Sequence, residues 1–110
     1  MNHFEYKIFN AVYNDIKNGK KTIEFRLLND KSESINIGDE IRFNVLNSDK
    51  YLLVEVTNKY YYDTLDELWN SKEVLKNCLD YSKEEFIATF NDIFGKDKVK
   101  SSKIIGIEFR

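Results

Sequence analysis

The sequence predicts an α+β domain, a small curved sheet or barrel of strands with helices covering its ends. Three observations carry this. Apolar and polar residues alternate with period 2 at both ends of the chain and through its first half. Two Ser/Thr-to-Glu capping signatures open helical stripes in the second half. No proline, repeat or low-complexity tract interrupts the 110 residues, so residues 1–110 read as a single domain.

Taken in order, Phe4 to Ile8 runs apolar, charged, apolar, charged, apolar, which is a half-buried strand. Asn10 is placed to cap a helix to Asn18 carrying Val12, Tyr13 and Ile16, with Gly19 as its left-handed stop. From Thr22 to Leu27, Ile23, Phe25 and Leu27 take one face of a strand and Thr22, Glu24 and Arg26 the other. Asn29 to Ser34 reads as a polar loop and Gly38-Asp39 as a turn. Ile41, Phe43 and Val45 then alternate with Glu40, Arg42 and Asn44, and the chain returns through Leu52 to Lys59 with Val54 and Val56 on the inner face. Thr64 with Glu67 opens a helical region reaching Leu79 in one or two pieces. Ser82 with Glu85 opens another, whose Phe86, Ile87, Phe90, Ile93 and Phe94 form a core stripe closed by Gly95. Ile105, Ile107 and Phe109 alternate in a last strand expected to pair with an early one. Ile23, Phe25, Phe43, Val54, Phe90 and Ile107 are the expected core.

Composition narrows the function classes. With 42% hydrophobic and 15% aromatic residues the chain can fill a core, and no stretch has the roughly 18 apolar residues of a membrane span. The first residues show no secretory leader, so a cytoplasmic protein without a membrane partner is expected. A lone cysteine, Cys78, has no disulfide partner and no thiolate metal set; it reads as a small buried residue. His3 has no ligand neighbours at metal spacing, so neither a metal nor a cofactor is expected. Seventeen basic against nineteen acidic residues give a net charge of −2, so any attraction for a polyanion must come from a local patch.

The densest candidate for such a patch is Gly19 to Arg26. Same-face residues on a strand stand about 6.5 to 7 Å apart, so Thr22, Glu24 and Arg26 line up a hydroxyl, a carboxylate and a guanidinium, with Lys21 at the entrance. Such a row suits a polar planar ligand, because arginine offers a fork of donors, glutamate acceptors and lysine a mobile charge. The pattern by itself favours the plainer reading, a solvated face with a Glu24–Arg26 ion pair, because structural ion pairs outnumber sites.

The spacing Gly19, Lys21, Glu24, Arg26, written GxKxxExR, together with the Ile37-Gly38-Asp39 turn and the closing Ile104 to Phe109 strand, resembles the ASCH family of small domains over nearly the whole chain. The resemblance implies a PUA-like β-barrel of five or six strands with flanking helices. It also implies a cleft beside the motif strand proposed to bind RNA or a nucleotide, with Lys21, Glu24 and Arg26 as ligand-binding residues, which Thr22 joins as their same-face neighbour on the strand. One branch of the family resembles acetylcytidine amidohydrolases, in which the motif lysine acts with a threonine nucleophile and a glutamate. Lys21 matches that lysine. Glu24, however, stands where the threonine would be, and Thr22 is one same-face step away, too far for a nucleophile and its base. Asp80, Glu84 and Glu85 lie in the region of the later glutamate without a matching motif. The expectation is therefore an RNA- or nucleotide-binding module. The alternative is a hydrolase acting on a modified nucleoside or RNA, with Lys21 as base and Glu24 as catalytic carboxylate.

Two further features have both a binding and a structural reading. Tyr60-Tyr61-Tyr62 can offer a stacking face for a base, although strand alternation sends at least one of the three into the core. Lys96, Lys98, Lys100 and Lys103, diluted by Asp97, can track phosphates or form a solvated loop.

Overall fold

A computed structural model describes residues 1–77 and 82–110. Five strands, β1 (His3–Ile8), β2 (Ile23–Leu27), β3 (Glu40–Val45), β4 (Tyr51–Tyr62) and β5 (Ile104–Phe109), form one sheet in the order β1-β3-β4-β5-β2. The β1/β3 pair is parallel and every other neighbouring pair is antiparallel. The twelve-residue β4 holds the sheet together: its first half pairs with β3, its second half with β5, and a register shift between Val56 and Asn58 marks the change of partner. An irregularity of that kind bends a strand and increases its twist, which curls the sheet into a half-barrel. The expected α+β barrel with flanking helices is thus borne out, with five strands, and the last strand pairs with the early β2 as well as with β4.

Helices α1 (Asn10–Lys17), α2 (Asp30–Glu33), α3 (Leu65–Trp69), α4 (Lys83–Phe94) and α5 (Lys96–Ser101) flank the sheet, with a 3-10 turn over Glu73–Lys76. Three expectations need correction. Phe9 rather than Asn10 occupies the cap of α1, and it gives no side-chain hydrogen bond. The polar stretch after Asn29 is helical, because Asn29 and Ser32 close a reciprocal capping box and Ser32 is buried. The lysine-rich stretch after Gly95 is also helical rather than a loop, because Val99 finds a place in the core. Ser82 and Glu85 do form the expected box, whereas Thr64 caps α3 from one side only, Glu67 bonding Asp63 instead. Cys78, Leu79 and Asp80 lie outside the described residues, and with them the expected end of the helical region and the reading of Cys78.

Two apolar cores share the sheet. Tyr6, Ile8, Phe43, Val54, Val56, Ile105 and Ile107 belong to one; Ile23, Phe25, Leu27, Tyr62, Phe86, Phe90 and Ile104 belong to the other, between the sheet and α4. All six expected core residues are buried. The cross-strand pair Phe25–Gly106 shows how tightly β2 and β5 are overlaid, since a Cβ on Gly106 would stand 2.9 Å from the Phe25 ring. Phe90 is 6% exposed and packs on Phe86 and Phe94 at ring-centroid distances of 5.7 and 4.9 Å. Truncating Phe90 to Ala is expected to cost about 3 to 5 kcal/mol in urea unfolding, and a loss below about 1 kcal/mol would contradict its placement in the core.

Candidate functional site

The sheet order leaves β1 and β2 as its two edges, and curling brings them together without backbone pairing. Side chains join them instead. Arg26 Nη2 donates from β2 to the Lys7 carbonyl at 3.2 Å, and Lys31 Nζ, from α2 just after β2, donates to the Glu5 carbonyl. Glu5 and Lys7 are two apart on β1, so their carbonyls point the same way, out of the edge that β3 does not cover. The two cations saturate groups that would otherwise invite another strand. The Arg26 guanidinium also lies 4.2 Å from the centroid of the Tyr6 ring.

Glu24 and Arg26 sit opposite Ile107 and Ile105, on the sheet face that carries the first core. Both faces of β2 are therefore covered, and Glu24 is only 6% exposed. A buried carboxylate needs partners, and it has two. Lys21 Nζ stands 3.1 Å from Oε1, while Arg26 brings Nε to 3.2 Å and Nη2 to 3.0 Å from Oε2. Burial alone would push the Glu24 carboxyl up; the charges of Lys21 and Arg26 and their hydrogen bonds outweigh it and hold its pKa below the usual glutamate range. Gly19, at φ 76°, turns the chain out of α1 and delivers Lys21 to this position.

A cavity of about 490 Å³ opens in the seam beside this triad. Lys7, Lys21, Glu24, Arg26, Asn77 and Thr89 supply its polar lining, and its walls are apolar, from Ile8, Phe9, Leu46, Phe86, Phe90, Ile93 and Phe94. The seam thus brings together Lys21, Glu24 and Arg26. It does not bring Thr22, which is absent from the lining and serves through its backbone: Thr22 N–H donates to Asn77 Oδ1 at 2.9 Å and its carbonyl accepts from Phe109 N–H. Asn77, buried, also binds Ile23 N–H and the Ile23 carbonyl, and so clamps the start of β2.

Sequence reasoning missed Asn77, Thr89, Phe9, Leu46 and the wall role of Ile93. Ile93, expected in the core stripe of α4, is instead 52% exposed, and Phe9 is 56% exposed, because both side chains face the open cavity rather than a packed core. The tyrosine triplet contributes nothing to the cavity: Tyr62 is buried and donates to Glu73, Tyr60 donates to Glu108, and Tyr61 is exposed. Neither Glu84 nor Glu85 lines it, and Asp80 lies outside the described residues. His3 bonds Glu40 at 2.8 Å, and no group of three potential metal ligands occurs among the described residues. None of the described helices is long and apolar enough to cross a membrane.

Solved structures share this architecture. The chain is similar over 98% of its length to the crystal structure of hypothetical protein PH0355, with 26% identity, 97% of that chain covered and a TM-score of 0.84. It is similar over 98% to the solution structure of protein PF0455 from Pyrococcus furiosus, with 27% identity, 96% of that chain covered and a TM-score of 0.75. It matches an ASCH domain from Lactobacillus crispatus over 99% of this chain and 79% of that one, with 11% identity and a TM-score of 0.70. No protein-family model and no curated protein matches the sequence. The chain therefore has the fold of the ASCH domains, a five-stranded half-barrel with flanking helices, and the resemblance drawn from GxKxxExR is borne out at the level of fold.

The triad has a measurable signature. Because the folded pKa of Glu24 is depressed, its ionised form contributes stability that is complete above the unfolded value of about 4.3 and is lost as pH falls through the folded value. Glu24→Gln is expected to lose about 2 to 4 kcal/mol near pH 7, somewhat less than a fully buried pair because Lys21 and Arg26 reach water. In urea unfolding at stepped pH, the gap between wild type and variant should be full above about pH 5 and shrink below about pH 4. A gap that stays constant down to pH 2 would contradict an ionised, paired Glu24.

Proposed function

We propose that the chain is an RNA- or nucleotide-binding module that holds a nucleobase in the seam cavity. The observation that carries the reading is a buried, ionised carboxylate flanked by two cations at the floor of an apolar-walled cleft. Apolar and aromatic walls favour a flat ring, which stacking on aromatic side chains stabilises by about 1 to 3 kcal/mol per base. The floor favours a particular edge. Oε2 of Glu24 already accepts from Arg26 twice, whereas Oε1 accepts from Lys21 alone and has a lone pair to spare. Lys21 has ammonium hydrogens to spare. An N–H beside a carbonyl or ring nitrogen, the edge every nucleobase offers in some form, answers both at once.

Binding is favoured over hydrolysis by what Lys21 and Glu24 touch. A hydroxyl nucleophile has to hydrogen-bond its base. Thr89 lines the cavity, yet among the described residues no hydroxyl hydrogen-bonds either Lys21 or Glu24. The hydrolytic alternative requires acetylcytidine or RNA turnover that Lys21→Ala abolishes, and an assay with the purified chain is expected to show none.

The binding reading is tested by titrating short single-stranded RNA against wild type and Lys21→Ala at two salt concentrations. Lys21→Ala is expected to weaken binding by about 1 to 3 kcal/mol, the cost of one lost base-edge contact, and wild-type affinity should fall as salt rises. Equal affinities for the two proteins would return the triad to a purely structural role.

A further inference from the structure

A second cavity, of about 360 Å³, lies on the other side of the Arg26 bridge. Arg26, Ile93 and Phe94 belong to the walls of both cavities, so one layer of side chains separates them. Its character differs from that of the first. The polar lining is Tyr6, Arg26, Asn29, Lys98 and Ser102, with two cations and no carboxylate.

Its donors are under-used. Arg26 spends Nε and Nη2 on Glu24 and the Lys7 carbonyl, and its Nη1 hydrogens meet no acceptor among the described residues. Tyr6 is 8% exposed, and its buried hydroxyl has no hydrogen-bond partner among them. A donor in that state is the exception in folded chains. Lys31, which donates to the Glu5 carbonyl and does not itself line the cavity, lies 4.1 Å from the centroid of the same Tyr6 ring that Arg26 covers at 4.2 Å. Loss of water around its ammonium, and then repulsion by Arg26, lower the Lys31 pKa. An anion near the pair would relieve that repulsion. Lys98 projects from α5, which the sequence alone left open between a phosphate-tracking run and a solvated loop.

We propose that this second cavity is a phosphate subsite, filled by the phosphate next to the base that the first cavity holds. The proposal rests on the nucleobase reading above and makes the ligand a nucleotide, free or within a strand, rather than a bare nucleoside. Arg26 is the shared element: its Nε edge holds Glu24 against the base, and its Nη1 side, with Lys98, faces the phosphate. Forked arginine contacts and a mobile lysine charge are the usual pairing for such a group.

The test is calorimetric titration of the intact chain with ribonucleosides, their 3′- and 5′-monophosphates and the matching dinucleotides, for wild type and Lys98→Glu. In parallel, inorganic phosphate is titrated while the Arg26 Nε–H resonance is followed. Wild type is expected to bind a monophosphate or dinucleotide on the order of tenfold more tightly than the nucleoside. Lys98→Glu should abolish that gain while leaving nucleoside affinity in place. Whichever of the monophosphate and the dinucleotide gains more identifies the source of the phosphate. A nucleoside that binds, with no gain from phosphate or with a gain that Lys98→Glu leaves intact, overturns the subsite and leaves the nucleobase reading standing. If no nucleoside binds, the nucleobase reading falls. The subsite then survives only if inorganic phosphate moves the Arg26 resonance in wild type and not in Lys98→Glu, and an unmoved resonance overturns it as well.

Discussion

A carboxylate buried in a sheet face must be neutralised where it stands, and in this chain the neutralisation of Glu24 organises everything around it. Lys21 and Arg26 reach it from opposite sides, one from the turn after α1 and one from two residues further along β2. The pairing fixes the Arg26 guanidinium plane, and that plane then meets the Lys7 carbonyl and the Tyr6 ring on the opposite edge strand. The half-barrel is bridged across its seam by Arg26, which answers to that one buried charge, and by Lys31 beside it. Such a cluster stabilises little in itself, since replacing it whole with apolar residues would be roughly neutral on general grounds, whereas removing one partner leaves a buried charge unpaired.

The seam also explains how a chain with a net charge of −2 presents a cationic cleft. Lys7, Lys21 and Arg26 line the first cavity against the one carboxylate of Glu24, and Arg26 and Lys98 line the second against none. The acidic residues that balance the total lie elsewhere; Asp63, Asp66 and Glu55, for example, pair with exposed lysines and an arginine outside both cavities. Any attraction for an anion at these cavities would therefore be decided by the local field and not by the total charge.

Much of the fold was legible because its signals are local. Alternation in β2, β3 and β5 identified strands and their inner faces, and the Ser82–Glu85 box located the start of α4. The parallel pairing of β1 with β3 and the meeting of β1 with β2 are non-local, and no periodicity encodes them. That is why the polar face of β2 read by its pattern as solvated: alternation says that Glu24 and Arg26 lie opposite Ile23 and Phe25, but not that a second strand edge covers them. The same gap concealed Asn77, which reaches β2 from fifty-four residues beyond Ile23, and the rim residues Phe9, Leu46 and Ile93, whose apolar side chains carry no mark that separates a cavity wall from a core. The helices after Asn29 and Gly95 were hidden by their polarity, because each buries only one described residue, Ser32 and Val99.

The most direct measurement is the titration of the Glu24 side-chain carboxyl carbon by NMR, with the other glutamates as internal references. A buried glutamate clasped by Lys21 and Arg26 should titrate below the usual glutamate range, and the Arg26 Nε–H resonance should move with the same midpoint because the two groups share hydrogen bonds. A Glu24 carboxyl that titrates at or above the ordinary value, with Arg26 indifferent to it, would mean that burial wins over pairing and that the cavity has no ionised floor.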